Sequence, residues 1–356
     1  MTNNRIKKLL SIINKKNIDI AFITCDENVY YFSGFDGGES TVILTQKEKY
    51  LFTDFRYIEQ AEKQAVGYTV IEYSKDNKYK RILEVIKKQK NNNIGIEKGN
   101  LTVRRFEKIQ TNFDGFAYFD ISADIDKIRS IKSDQEIEVI KLAAKINDEA
   151  FLQLIKQIKI GISEMDIYTE LTYLFNKQKC THAFKPVIAS GENSALPHAP
   201  ITNRKLEDGD LLTIDFGAKL NNYCSDCTRT IGIGGLDNLQ KKVYYTVWKA
   251  QQLAIDAIKA GDRAKDVDAV AREYISKSGF DGCFGHGLGH GLGLFVHEGV
   301  SLSPNSEDIL EKNMVFSVEP GVYLKNKFGV RIEDIVTITD NGLEIFNSLY
   351  KDLIII

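Results

Sequence analysis

Leu211-Leu212-Thr213-Ile214-Asp215-Phe216 and Tyr223-Cys224-Ser225-Asp226-Cys227-Thr228, separated by Gly217-Ala218-Lys219-Leu220-Asn221-Asn222, form the stretch on which the reading of this chain turns. Each flank is a short β-type run and the six residues between carry turn chemistry, which predicts an antiparallel hairpin over 211–216 and 223–231. Asp215 and Asp226 then fall near one another across the strands, about 5 Å apart. A carboxylate in a buried strand is costly unless something positive pairs with it. Two bare ones at that separation repel, and a dication, or a pair of them, removes the conflict.

Further along, Glu319 follows Val315-Phe316-Ser317-Val318, and Glu333 sits in Val330-Arg331-Ile332-Glu333-Asp334-Ile335-Val336. One such acid reads most simply as ion-paired or as part of an edge strand. Four in one domain, with too few intervening cations to pair them, point to metal. The five histidines (182, 198, 286, 290, 297) all lie in the same part of the chain. His286 and His290 belong to Phe284-Gly285-His286-Gly287-Leu288-Gly289-His290-Gly291-Leu292-Gly293-Leu294, whose glycines alternate and so do not match the G-x-G-x-x-G spacing of a dinucleotide loop. So many glycines also disfavour a helical H-x-x-x-H zinc site. In extended chain the two histidines share one face and the glycines the other, which lets a second backbone approach closely. Hard oxygen ligands with one imidazole suit Mn²⁺, Co²⁺ or Zn²⁺ rather than Ca²⁺. Cys224 and Cys227, spaced C-x-x-C without a second pair, read as packing residues. Ser190 and Ser194 lack the elbow of a serine hydrolase, and His182 reads as structural or as a rim residue.

Around this centre the chain divides at a boundary near 128: an N-terminal domain over 1–127 and a second domain over 128–356. Short β-type runs at 18–24, 41–45, 50–53 and 94–96 alternate with helices over 57–65 and 78–90, and the N-terminal stretch reads as an amphipathic helix. That makes the first domain α/β. Ser133-Asp134-Gln135-Glu136 spells a capping box and opens a long helix whose buried stripe is Ile137, Ile140, Ala144, Phe151, Leu154 and Ile158. Helices over 163–179, 239–260 and 266–278, with β-type runs at 211–216, 223–231, 315–318 and 330–338, make the second domain α+β.

Composition limits the function classes. The 356 residues are 43% hydrophobic and 27% charged, which is globular, and the formal charge of −2 leaves no footprint for nucleic acid. No uncharged apolar run reaches the roughly 18 residues of a membrane span, and the N-terminal stretch is too short and interrupted for a signal peptide. The odd count of five cysteines reads as reduced thiols. The expected location is cytoplasmic, with no membrane partner.

Ala189-Ser190-Gly191-Glu192-Asn193-Ser194-Ala195-Leu196-Pro197-His198, Asp215 with Asp226, His286-x-x-x-His290, Val296-His297-Glu298, Val318-Glu319-Pro320-Gly321 and Arg331-Ile332-Glu333 together resemble the pita-bread metallopeptidases, family M24. That family includes methionine aminopeptidase, aminopeptidase P, prolidase and creatinase. Tyr30-Tyr31-Phe32-Ser33-Gly34-Phe35 and Thr53-Asp54-Phe55-Arg56-Tyr57-Ile58-Glu59-Gln60-Ala61 are similar, more loosely, to the N-terminal domain of the aminopeptidase P and prolidase branch. The resemblance implies an N-terminal α/β creatinase/prolidase-type domain followed by a pita-bread catalytic domain, and a homodimer. It also implies two divalent metal ions, with Asp215 on one, His290 and Glu319 on the other, and Asp226 and Glu333 bridging. A hydroxide held between the ions would attack the scissile carbonyl, with Glu319 as proton shuttle. By the same resemblance His297 and His198 hydrogen-bond the carbonyl oxygen and scissile amide, and His286 walls the proline pocket. Arg331 orients Glu333 or contacts substrate. The substrate class is peptides with proline in second place.

Two departures bear on the substrate. His182-Ala183-Phe184-Lys185-Pro186 stands where the family often has an acid or polar residue. No arginine follows Val296-His297-Glu298 before Arg331, whereas some prolidases carry one there to grip a dipeptide's free carboxylate. The expected activity is therefore Xaa-Pro aminopeptidase, with Xaa-Pro dipeptidase (prolidase) as the alternative. A creatinase-like C–N hydrolase and a non-catalytic binding module fit less well, because the ligand set is intact.

Overall fold

Reciprocal capping boxes fix where three helices of the second part begin. Ser133 with Glu136 opens Asp134–Leu154, Ser163 with Asp166 opens Glu164–Lys177, and Asp237 with Gln240 opens Asn238–Ala257. In each, the side chain at the helix entry and the one three residues on satisfy two backbone N–H groups that the helix leaves unpaired. The computed structural model describes residues 2–89 and 92–356. The chain forms two units, the first ending at Ile128 and the second spanning Arg129–Ile356.

In the first unit, β1 (Ile20–Ile23), β2 (Thr41–Leu44), β3 (Lys49–Thr53), β4 (Thr69–Glu72), β5 (Asn93–Ile96) and β6 (Ala117–Asp120) form one sheet in the order β4-β3-β2-β1-β5-β6. β2 runs antiparallel to β1 and β3, and the other neighbours are parallel. Ile20, Phe22, Ile43, Phe52, Ile94 and Ile96 pack with Ile82 and Ile86 of the helix Lys78–Ile86. That helix is shorter than the predicted 78–90, and Lys90 lies outside the described residues, as does Met1 ahead of the helix Thr2–Lys15. The two edge strands, β4 and β6, escape the sequence reading because each is only four residues long, exposed or half-buried, and its apolar pair (Val70-Ile71, Tyr118-Phe119) is adjacent rather than alternating.

Among the described residues, two large hydrophobic cores stand out in the second unit. In one, Phe151, Leu154, Leu171 and Phe175, from Asp134–Leu154 and Glu164–Lys177, pack on Leu212, Ile214 and Phe216. In the other, Val243, Val247, Ala254, Val267 and Ala271, from Asn238–Ala257 and Ala264–Ile275, pack on Phe316, Val318, Val330 and Val336. The predicted stripe from Ile137 to Ile158 is buried throughout. The first core backs a sheet of Val187–Ser190, Leu211–Phe216 and Cys227–Gly232; the second backs Val315–Val318, Asp334–Thr339 and Gly342–Ile345. The two meet where the Glu333 N–H donates to the Thr228 carbonyl at 3.1 Å and the Thr230 hydroxyl donates to the Arg331 carbonyl at 2.9 Å. Buried Arg229 braces the seam, donating to the Glu333 and Leu349 carbonyls and to Asp334 Oδ1.

The hairpin expected over 211–231 is corrected in its register. Asp215 pairs with Val187 on one side and with Thr228 on the other, not with Asp226. Ala218–Leu220 and Tyr223–Cys224 form a separate ribbon, and the chain leaves the ladder at Ser225-Asp226 before re-entering at Cys227. The run expected at 330–338 breaks in the same way: Phe328–Arg331 and Asp334–Thr339 pair with different strands, and Ile332-Glu333 lies between them. Both breaks carry an acid, Asp226 at the first and Glu333 at the second.

Candidate metal centre

The strand Leu211–Phe216 presents Asp215 from its fifth position, half-buried among fully buried neighbours. Its Oδ2 accepts from Arg331 Nη2 at 2.7 Å, and among the described residues its buried Oδ1 has no hydrogen-bond partner. Asp226, at the first strand break, accepts the Cys227 N–H at 2.9 Å. Glu333, at the second, accepts the Thr228 hydroxyl on Oε2 at 2.7 Å and keeps Oε1 without a partner. Thr228, opposite Asp215 in the ladder, therefore reaches the acid at the second break.

His290 sits on the two-residue strand Gly289–His290, paired with Ser301–Leu302. A Cβ on Gly289 would collide with the Ser317 carbonyl, so only glycine lets these backbones touch. The contact lets the His290 N–H donate to Ser317 Oγ at 3.0 Å, while the Ser317 hydroxyl donates to Glu319 Oε1 at 2.9 Å. His290 Nε2 lies 3.1 Å from Glu319 Oε1 and 3.7 Å from Asp226 Oδ2.

Asp226, His290 and Glu333 each offer a ligand atom within 4.8 Å of the others. Asp215 and Glu319 line the same cavity of about 490 Å³, together with His198, His286, His297 and Arg331. Every site residue expected from the sequence is thus brought to one place. The electrostatics fit cations. Burial and the neighbouring carboxylates push Asp226 and Glu333 well above the ordinary carboxylate value, and burial raises Asp215 although Arg331 opposes it. Burial alone would raise Glu319 too, but its hydrogen bond from His290 holds it at about 2. Four crowded acids with one imidazole, and two buried oxygens without partners, are a donor set that one or two hard or borderline dications satisfy.

Arg331 differs from expectation. It holds Asp215 rather than Glu333, and it also donates to the Tyr323 hydroxyl at 2.8 Å, the Pro197 carbonyl and Thr228 Oγ1, reaching Glu333 only through Thr228. His286 Nε2 meets the Tyr323 hydroxyl at 2.9 Å, and burial lowers its pKa. The His297 ring centroid is 3.9 Å from that of His290, and burial, followed by the His290 charge, lowers its pKa. Tyr323, Thr228 and Ser317 were missed by sequence reasoning, because a tyrosine, threonine or serine in a strand reads as ordinary packing. Glu298 was passed over in Val296-His297-Glu298. It is buried and paired with Arg129 and with Lys132, and it accepts the Phe295 N–H, fixing the loop that carries His297.

The weaker suspects fall where the sequence put them. His182 stacks on Tyr168, meets Phe175 edge-on and contacts the Thr172 hydroxyl at 2.8 Å. Cys224 and Cys227 are buried, and the Cys224 thiol donates to the Leu294 carbonyl. Ser190 donates to Glu164, and Ser194 to the Gly191 carbonyl.

Residues 138–340 match the model of metallopeptidase family M24, and residues 5–131 match that of the creatinase/prolidase N-terminal domain. The chain is 36% identical to a Xaa-Pro dipeptidase of Pyrococcus furiosus over 98% of its own length and 99% of that protein's. Among solved structures it is similar to a Xaa-Pro dipeptidase from Bacillus anthracis, with a TM-score of 0.95, 36% identity and full coverage of both chains. It is also similar to an X-Pro aminopeptidase from Thermotoga maritima, with a TM-score of 0.90 and 36% identity over 96% of this chain and 98% of that one.

Proposed function

The chain belongs to metallopeptidase family M24, with a creatinase/prolidase-type N-terminal domain ahead of a pita-bread catalytic domain, and from that premise we propose that it is a Xaa-Pro dipeptidase. The observation that carries the peptidase reading is the convergence of Asp215, Asp226, His290, Glu319 and Glu333 on one cavity, with two acid oxygens left without partners. The missing arginine favoured an aminopeptidase P. The full-length likeness to proteins named Xaa-Pro dipeptidase weighs more, and it supports the alternative stated beside that first reading.

In this proposal Asp215 would hold one divalent ion and His290 with Glu319 the other, while Asp226 and Glu333 would serve both. Mn²⁺ is the expected ion, with Co²⁺ or Zn²⁺ as substitutes. When bound, the two ions supply Lewis acidity and make a water acidic enough to lose its proton near neutral pH. Glu319 is the proton carrier: it is ionised, and its Oε1 is oriented by Ser317 and His290. His297 and His198 donate to the carbonyl oxygen and the scissile amide region. His286, held by Tyr323, forms the proline wall. Arg331 keeps Asp215 turned, so that one of its oxygens faces the cavity. A homodimer and a cytoplasmic location belong to the same proposal, and among the described residues no helix is long and apolar enough to cross a membrane.

The test is hydrolysis of a Xaa-Pro dipeptide and a Xaa-Pro-Xaa tripeptide by protein stripped with chelator and then given Mn²⁺. Metal-dependent cleavage with preference for the dipeptide is the expected result. Cleavage of the tripeptide alone would make the protein an aminopeptidase P. Undiminished turnover by Asp226→Ala or Glu333→Ala would overturn the metal reading altogether.

A further inference from the structure

A Xaa-Pro dipeptide ends in a carboxylate whose carbon lies only about 2.5 Å from the scissile nitrogen, two covalent bonds away. That charge therefore enters the cavity with the reacting bond and cannot trail into solvent as the rest of a longer peptide does. A carboxylate losing water needs a cation, yet this cavity is lined by four acids. Its basic side chains other than histidine are Arg331 and Lys185. Arg331 is 3% exposed and already engaged by Asp215, Tyr323, Pro197 and Thr228. Of the imidazoles, His290 is taken by Glu319, while His286 is taken by Tyr323 and the Gly287 carbonyl.

Lys185 is different. It is exposed, it lines the cavity, and among the described residues it has no hydrogen bond or ion pair. Its backbone is nevertheless well placed. The Ala183 N–H is bound to the Gly217 carbonyl, and a Cβ on Gly217 would strike the Phe184 ring, so Phe184 packs directly against that turn. Two residues beyond Lys185, Val187 is the register partner of Asp215. At a strand rise of about 3.3 Å per residue, Lys185 starts roughly 7 Å along the chain from that pair.

We propose that Lys185 is the specificity residue that binds the free C-terminal carboxylate of the dipeptide. This rests on the dipeptidase reading above. The ammonium is a flexible point charge. It should therefore act mainly on substrate binding and be weakened by salt.

The experiment compares wild type, Lys185→Ala, Lys185→Arg and Lys185→Glu on a Xaa-Pro dipeptide and on the same dipeptide as its C-terminal amide, with Mn²⁺, at low and high ionic strength. For the dipeptide, Lys185→Ala is expected to raise KM about fivefold, the upper end for a solvent-exposed ion pair, with kcat little changed. Lys185→Glu should raise it further, Lys185→Arg should restore it, and the salt sensitivity of KM should vanish in the alanine variant. The amide should respond to none of these changes. A Lys185→Ala enzyme that keeps the wild-type preference for acid over amide, or that loses both substrates equally, overturns the assignment and leaves the dipeptidase reading standing. A wild type that cleaves neither substrate overturns that reading and the assignment with it.

Discussion

Thr228 donates its hydroxyl to Oε2 of Glu333 at 2.7 Å, and Oε1 of the same carboxylate lies buried without a partner. The bond ties the strand Cys227–Gly232 to the break between Phe328–Arg331 and Asp334–Thr339, and it fixes which oxygen Glu333 can offer to an ion. The Thr228 hydroxyl also accepts from Arg331 Nε, so one side chain orients a ligand directly and helps to seat the arginine that turns another. Groups behind the ligands usually tune metal affinity by about 10–100-fold. Thr228→Val keeps the shape and removes the donor. It should weaken Mn²⁺ binding within that range, and Thr228→Ser should recover it. Calorimetric titration of the metal-stripped protein reads both, and an unchanged affinity would reduce Thr228 to packing.

The alternating glycines separate into structural and dispensable ones. A Cβ at Gly289 would meet the Ser317 carbonyl, while one at Gly285 has no atom within 4 Å. Gly289→Ala must push apart the backbones that place His290 beside Ser317. It should destabilise the protein by about 1–3 kcal/mol, the usual range for overpacking, and should lower metal affinity as well. Gly285→Ala should stay within about 0.5 kcal/mol. Urea unfolding of the pair decides, and equal stabilities would refute the close-approach argument.

Glu298 makes acid stability testable. Burial alone would raise its pKa, but Lys132 and Arg129 together hold it below the ordinary value. The folded state thus gives up this proton more readily than the unfolded chain does. The contribution is complete above the unfolded value of about 4.3 and is lost as pH falls through the depressed folded value. Glu298→Gln removes the shared counter-charge of two buried cations. It should cost about 3–5 kcal/mol near neutral pH and flatten the acid arm of the stability curve. Denaturation midpoints collected from pH 3 to 7 would sink the idea if the variant kept the wild-type slope.

Metal should stabilise the fold as well as activate it, because the acids that repel one another bring strands from both sheets together. At a free ion concentration of about a hundred times Kd, binding to the folded state alone adds roughly 2.7 kcal/mol. Thermal melting should rise when Mn²⁺ is returned to chelator-stripped protein. The rise should be much smaller in Asp226→Asn, which keeps the shape of the side chain but loses its charge. Identical melting with and without Mn²⁺ in the wild type would mean that the acids do not share an ion.

Much of the fold was legible from the chain alone. Helix entries could be read because a capping box is local: Ser133 and Glu136 satisfy each other's backbone whatever surrounds them. Strands with both faces buried, such as 211–216 and 315–318, could be read because they are short, mostly apolar runs. β4 and β6 could not, since half-exposed edge strands leave no periodic trace. The candidate ligands were equally plain, because an acid in an apolar run is chemically out of place wherever the chain finally puts it.

What the sequence could not decide is register and partnership. A shift along a ladder by two residues leaves the apolar alternation intact, so nothing local reveals that Asp215 faces Thr228 or that the strand breaks at Asp226 and Glu333. Nor can any stretch announce that Arg331 will hold Asp215, 116 positions away, or that Tyr323 will stand between Arg331 and His286. The chemistry of this site was written in residue types and their spacing. Its orientation was set only when two separately packed sheets met, because a hydrogen bond between distant residues forms only where the packing of both sides delivers them.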